Sequence, residues 1–332
     1  MSEPFPIPSE RAGATLAAVL RFLLQGQSWT QVRQLIAARR VQIDGSLCLD
    51  PARRLKEGEV VEILNKPLPV YRGATAEGLV IRHLDEQIVV VAKAAGVNTV
   101  RHPAERAWKE ARKELSPTLH DITQEVIALR LKRSKHTLPR LRIVHRLDKE
   151  TSGLVVFART ADAERALGKQ FKAHTVIRRY VAIVPGYLIP QTISSWLVRD
   201  RGDGRRGSGH EEGIGKRAVT HVDVIERLPR HTILACQLET GRTHQIRIHL
   251  AEKGHPVCGE KVYNRPIGGE PVPDPDESPR LCLHAAELGF QHSATLQTVH
   301  WEMPLPLDLQ GFLQRLRNEQ SRPEPPTPRR RS

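Results

Sequence analysis

Residues 142–160 read RIVHRLDKETSGLVVFART, and this stretch constrains the fold more than any other. Leu154 to Ala158 are all apolar, too few for a helix, and bounded by polar residues. Such a run suits a strand buried on both faces near the middle of a sheet. Directly before it stand His145, Arg146, Asp148, Lys149 and Glu150. They cannot all enter a core, because unpaired buried charge is costly. A central strand entered through a charged loop delivers ionisable groups to a cleft, where reacting groups sit. Asp148 is the natural nucleophile or base of that loop, aspartate carboxylates being ionised at neutral pH. The plainer alternative is that Asp148 and Arg146 hold a turn through a salt bridge.

Two more segments carry polar groups in an ordered setting. Residues 237–264, QLETGRTHQIRIHLAEKGHPVCGEKVYN, run from a strand through Gly241 into a short helix that begins near His244 and ends at Gly254. Arg242, His244, Arg247 and His249 cluster at its start, a set that suits a phosphate or carboxylate at a helix N-terminus. Alternatively, one of these arginines pairs with a carboxylate across the domain. In RRYVAIVPG, residues 178–186, Tyr180 can stack on a base or supply a phenol, or be an ordinary half-buried strand residue.

The front of the chain reads as a separate small unit over residues 14–66. Pro4, Pro6 and Pro8 predict a loosely attached or disordered start over residues 1–12. Leu16, Val19, Leu20 and Leu23 form a stripe on a helix over 14–24; a second helix spans 31–39, capped by Thr30 and packed through Val32, Leu35 and Ile36. A hairpin turns at Asp44-Gly45, and a strand follows at 59–64. Arg33, Arg39, Arg40, Arg53, Arg54 and Lys56 fall on the solvent side. This pattern resembles the alpha-L RNA-binding motif, which implies that the basic side chains meet a phosphate backbone. The bland alternative is a cap domain with a solvated basic face.

Residues 67–79 are turn-rich and predict a linker. The main domain is expected over 80–315, with strands at 87–92, 154–158, 177–184, 219–227, 232–239, 286–291 and 295–301, helices at 104–115 and 122–132, and a further helix capped by Thr160 or Asp162. Residues 200–216 and 265–280 read as surface excursions, and 316–332 as a disordered basic tail.

Charge and cysteine usage narrow the class. Fifty-one Lys and Arg against 37 Asp and Glu give a formal +14. That surface attracts polyanions, with nucleic acid the first candidate partner. No apolar run approaches the roughly 18 residues of a spanning helix, no basic amphipathic helix points to a membrane surface, and MSEPFPIPSE lacks a signal-peptide pattern. A soluble cytoplasmic protein is therefore expected. Cys48, Cys236, Cys258 and Cys282 are too dispersed for a disulfide scaffold or a CxxC zinc site, and no metal constellation is apparent.

Taken together and in order, HRLDKETSGLVVFAR, RRYVAIV and GRTHQIRIH resemble the RluA-type RNA pseudouridine synthases over roughly residues 80–310, with the alpha-L motif in front. The resemblance implies an α+β fold: a catalytic domain with a long, mostly antiparallel mixed sheet and a central RNA cleft, plus a small N-terminal α/β RNA-binding module. It implies that Asp148 acts as nucleophile in breaking the N1–C1′ bond of a uridine, whose uracil turns and rejoins the ribose through C5. Tyr180 matches a tyrosine that packs against the base and assists removal of the C5 proton. Arg242 matches the arginine that pairs with the aspartate, and Arg146 one that holds or displaces the flipped nucleotide. His145, Ile246 and Arg247 fall in the motifs that shape the pocket.

The reaction is an isomerisation, so no cofactor is expected. Ribosomal RNA of the large subunit (23S-type) is favoured over transfer RNA, and a monomer is the default. One departure is AKAAG at 92–96, where Ala94 replaces a usual proline. The rival readings are a non-catalytic RNA-binding or ribosome-assembly factor on the same fold, and a hydrolytic nucleoside glycosidase.

Overall fold

The computed structural model describes residues 4–44, 46–66, 78–105, 107–109, 113–134, 137–209, 211, 213–265, 274 and 276–319. The chain forms two compact units, residues 1–72 and 73–332. Nearly all of the linker expected at 67–79, part of the helix expected at 104–115 and much of the 265–280 excursion lie outside the described residues.

In the first unit, β1 (Phe5–Pro6), β2 (Val41–Ile43), β3 (Ser46–Leu47) and β4 (Val60–Ile63) form an antiparallel sheet in the order β1-β4-β2-β3. Helices α1 (Leu16–Leu23) and α2 (Trp29–Ala37) bring Leu16, Val19, Leu20, Val32 and Ile36 into one core with Val41, Ile43 and Val61. The loosely attached start is corrected here. Phe5 and Pro6 pair with Val61 and Val60, and Ile7 is buried. Pro6 is tolerated because β1 is an edge strand, where a missing N–H costs no ladder bond. Ser28, not Thr30, caps α2: its hydroxyl accepts the Gln31 N–H while the Gln31 side chain accepts the Ser28 N–H.

The second unit is built on an eleven-stranded mixed sheet. In chain order the strands are β5 (Val80–Leu84), β6 (Ile88–Lys93), β7 (Arg142–Ile143), β8 (Ser152–Ala158), β9 (Ile177–Pro185), β10 (Gln191–Val198), β11 (Gly207–Ser208), β12 (Lys216–Arg227), β13 (His231–Leu238), β14 (Leu283–Gln291) and β15 (Thr298–Glu302). They lie in the order β11-β10-β12-β13-β9-β14-β8-β6-β5, with β15 on β14 and β7 on β8. Among the described residues every pairing is antiparallel except β14 with β8, where His284 stands opposite Ser152 and Ala285 opposite Gly153. Gly153 has φ 126, and a Cβ there would overlap the Ala285 carbonyl, so glycine is required at this close crossing. The Ser152 hydroxyl and His284 Nδ1, 2.9 Å apart, reinforce the joint.

The apolar runs of β6 and β8 follow from burial on both faces. Ile88, Val90, Leu154 and Val156 pack with Ala163 and Leu167 of α4 (Ala161–Ala173). Val89, Val91, Val155 and Phe157 face Leu119, Ile122 and Val126 of α3 (Leu119–Arg130), each such side chain worth about 1.5–3 kcal/mol. Of the two candidate caps Thr160 and Asp162, Thr160 caps α4 and Asp162 lies in its first turn. Helix α5 (Gln245–Glu252) follows β13.

Helix α6 (Leu307–Glu319) was not expected. It places Leu309, Phe312, Leu313 and Leu316 in the core, so the ordered chain passes the tail boundary drawn at 316. The 200–216 excursion is partly a strand: β11 pairs with β10, and Ser208 bonds through its N–H and hydroxyl to the Glu252 carboxylate of α5.

Candidate active site

Asp148 lies on the loop between β7 and β8, and that loop is pinned on both sides of it. Leu147 points into the core, and Thr99 holds its backbone: the Thr99 hydroxyl donates to the Leu147 carbonyl at 2.7 Å and accepts its N–H at 3.1 Å. On the other side, Lys93 at the end of β6 is buried, and its Nζ donates to the carbonyls of Ala94, Lys149 and Thr151 at 2.9, 2.8 and 2.7 Å. Burial pulls the Lys93 amine down to about 7, with Glu150 and Asp148 opposing. Sequence reasoning passed over Lys93. Its signal was a lysine closing the apolar run of β6, too deep to reach solvent.

The Asp148 carboxylate is 17% exposed. Its Oδ2 stands 3.7 Å from Nη1 of Arg247, and its Oδ1 stands 3.9 Å from Nε2 of His244. Arg247 is clamped by Glu260 through Nε to Oε2 at 2.7 Å and Nη2 to Oε1 at 2.6 Å. Burial disfavours both charges, but their mutual bonds outweigh it, raising Arg247 above and holding Glu260 below the ordinary range.

The guanidinium facing Asp148 is therefore that of Arg247, and the pairing expected from Arg242 is corrected. Arg242 precedes α5, where Gln245 accepts its N–H at 3.0 Å, and its side chain runs to β12, with Nε donating to the Arg217 carbonyl at 3.0 Å. Arg247, in the first turn of the helix, faces the Asp148 loop instead. His249 faces away, between Ser195 and Thr220. The four-member cationic cluster read from the sequence thus divides among different partners.

Tyr180 on β9 is buried beside these groups. Burial pushes its phenol up to about 12, with the Arg178 charge opposing and Asp148 adding to the rise. Arg178 donates through Nη2 to the carbonyls of Leu238 at 3.3 Å and Glu239 at 2.7 Å. A Cβ at Gly241 would come within 2.6 Å of Arg178 Nη1, so a glycine there admits the guanidinium. His145 accepts the Val156 N–H at Nε2, 3.0 Å away, and stacks on Phe171 with ring centroids 4.9 Å apart. Burial, then the Arg178 charge, lower His145 to about 3. The ring is neutral and its proton sits on Nδ1.

One cavity of about 610 Å³ collects Asp148, Tyr180, Arg242, Arg146, His145, Ile246 and Arg247 in its wall. Ile246 is buried and Arg146 exposed. Phe171, Arg178 and His244 complete the part that matters here. A space of this size takes a single nucleotide rather than a duplex. It offers a carboxylate, a fixed guanidinium and a buried phenol, a set suited to working on a glycosidic bond.

Residues 87–252 match the family described as RNA pseudouridylate synthase, and residues 15–61 match the S4 domain. The ribosomal large subunit pseudouridine synthase D of Neisseria meningitidis is 36% identical over 94% of this chain and 81% of its own. The protein of the same name from Pseudomonas aeruginosa is 35% identical over 94% of this chain and 95% of its own. The chain belongs to the RNA pseudouridylate synthase family. It is an RNA pseudouridine synthase with an S4 domain in front. The solved structure of human RNA pseudouridylate synthase domain containing 4 shares the fold, with a TM-score of 0.57 at 22% identity over 71% of this chain and 92% of that one.

In this pseudouridine synthase the S4 unit's basic residues are not equivalent. Arg33 is exposed, whereas Arg53 is bound by Glu59 through two bonds of 3.3 and 2.8 Å. Arg40 donates to the Leu64 carbonyl and Arg54 to that of Gly13, each at 2.8 Å. Arg39 has φ 62, and Lys56 bonds through its N–H to Glu59. The surface cations expected at Arg53, Arg54 and Arg40 thus also brace the unit's own loops. Among the described residues no helix is long and apolar enough to cross a membrane.

Proposed function

We propose that this pseudouridine synthase isomerises specific uridines of large-subunit ribosomal RNA, with Asp148 acting at the glycosidic bond. The observation that carries the reading is the Asp148 carboxylate, held on a pinned loop in the wall of a nucleotide-sized cavity, opposite Arg247 and beside Tyr180. The target uridine leaves its stack to enter, at a cost of a few kcal/mol. Contact of the basic surface and the S4 unit with the wider RNA offsets that cost.

Asp148 attacks C1′, the N1–C1′ bond breaks, and the electron pair leaves with the uracil. The uracil turns and C5 bonds to C1′ as the carboxylate departs; C5 then loses its proton and N1 gains one. Arg247 stabilises negative charge on either side of this exchange. Tyr180 and Ile246 pack against the base. A phenol that keeps its proton suits packing better than taking the C5 proton unaided. Arg146, exposed at the cavity wall, suits contact with the displaced strand, and Arg242 suits contact with RNA beside the pocket.

The choice of ribosomal RNA rests on the names carried by relatives at 36% and 35% identity and on a formal charge of +14. The four cysteines are free and buried, in keeping with work in the reducing cytoplasm.

Tritium release from RNA labelled at uridine C5 tests the reading. Wild-type protein releases tritium from ribosomal RNA. Asp148→Asn and Asp148→Ala release it at least about a thousandfold more slowly, while gel-shift affinity for the RNA stays within a few fold. Full activity in either variant refutes the role of Asp148. Mapping pseudouridines in cellular RNA with and without the gene names the position.

A further inference from the structure

His244 occupies an unusual backbone position. It precedes α5 with φ 60 and ψ 19, in the left-handed region, and its side chain makes no capping bond to the helix. A residue with a Cβ is strained there, where glycine is almost free of strain. The helix start does not depend on the imidazole. Gln245 secures that turn, accepting from the Arg242 N–H at 3.0 Å and the Thr240 hydroxyl at 2.7 Å while donating to the Val219 carbonyl at 2.9 Å. A strained residue whose side chain does nothing for its own helix points to a use elsewhere.

The ring's contacts show that use. Nδ1 lies 2.7 Å from the Tyr263 hydroxyl, and the two rings meet edge to face with centroids 5.5 Å apart. Nε2 faces Oδ1 of Asp148 at 3.9 Å. A bare nitrogen lone pair would be repelled by the carboxylate, so the favoured tautomer carries its proton on Nε2 and accepts from Tyr263 at Nδ1. Burial keeps the Tyr263 phenol protonated and holds His244 below its ordinary value, both consistent with that assignment. Tyr263 is itself buried, its N–H directed at the Glu260 carboxylate that clamps Arg247.

We propose that His244 is a positioning residue for Asp148: Tyr263 sets the tautomer, and the Nε2–H is held toward Oδ1 while Arg247 faces Oδ2. The carboxylate is thereby aimed from both sides. The separations of 3.9 and 3.7 Å leave its oxygens able to swing onto a ribose. Such contacts shorten when substrate fills the site.

This inference rests on the reading of Asp148 above, and its test separates the two. Steady-state tritium release is measured on C5-labelled cellular RNA for wild type, His244→Gly, His244→Gln and Tyr263→Phe, with thermal unfolding of each. His244→Gly removes the imidazole and relieves the backbone, so its unfolding temperature stays equal or rises. Its kcat falls about 30- to 100-fold with KM within twofold. His244→Gln, which carries an amide N–H to a similar reach, recovers kcat to within about fivefold. Tyr263→Phe, which keeps the buried ring, lowers kcat about three- to tenfold.

Wild-type release matched within twofold by His244→Gly or by Tyr263→Phe overturns the inference alone. A rise in KM at unchanged kcat also overturns it, since it would mark His244 as a docking residue. Wild-type protein that releases no tritium defeats the parent reading instead.

Discussion

The pair formed by Arg247 and Glu260 makes a sharp prediction, because Arg247 lines the cavity while the pair as a whole is almost closed to solvent. Side-chain exposure is 8% for Arg247 and 1% for Glu260, and their two bonds are 2.7 and 2.6 Å long. Glu260→Gln leaves the guanidinium buried without its partner charge. Breaking one side of a buried pair costs about 3–5 kcal/mol. At ~2–4 °C per kcal/mol for a domain of this size, the unfolding temperature falls by about 10 °C. The amide oxygen can still accept the Val262 N–H, now 2.9 Å from Glu260, so the loss belongs to the charge and not to the loop.

The double variant Arg247→Met/Glu260→Gln removes both charges and recovers at least half of that stability, because a buried pair replaced by neutral groups is close to break-even. It does not recover pseudouridine formation, having lost the cation facing Asp148. Thermal unfolding and tritium release on the same samples read both effects. Glu260→Gln unfolding within 2 °C of wild type, or a double variant less stable than the single one, would falsify the electrostatic account.

Two further outcomes follow from the same geometry. His145 titrates near 3 when folded against an ordinary 6.5. As pH falls between those values the unfolded chain takes a proton that the folded one refuses, so stability declines by up to about 1.4 kcal/mol per pH unit, with no effect above 6.5. His145→Gln, which can still accept the Val156 N–H, flattens that decline in urea titrations from pH 7 to 4; equal slopes would contradict it. Removing residues 1–66 weakens RNA binding and makes log affinity fall less steeply with log salt, by about 0.7–0.9 for each phosphate that the S4 unit neutralises. A slope unchanged across the salt series would count against the S4 unit as an RNA-binding surface.

What was legible in the sequence follows burial. Strands β6 and β8 are covered on both faces, and their uninterrupted apolar runs announce them. Strand β10 has only Ile193 and Leu197 buried within QTISSWLV, too thin a pattern to stand out. Helix α6 shows its stripe only once Leu309, Phe312, Leu313 and Leu316 are seen as a set. The prolines at the start argued against order, yet an edge strand accommodates one of them.

At the site, the motif brought the right neighbourhood but assigned the pairing with Asp148 to Arg242, where Arg247 faces it. That choice depends on which way each side chain leaves the start of α5, and on Glu260, far enough along the chain that nothing in the spacing links it to Arg247. Lys93 was hidden for a related reason. Its three acceptors are backbone carbonyls, which leave no trace in residue identity.

The single parallel joint of the large sheet has a consequence for everything built on it. Asp148 enters from the side of β8, whereas Tyr180, His244 and Arg247 are delivered by β9 and the segment after β13, across β14. Asp148 and the groups that face it therefore belong to two halves that meet at the crossing of Gly153 and Ala285. A substitution that pries this seam apart by a fraction of an ångström would disarm the enzyme while every side chain of the site kept its identity.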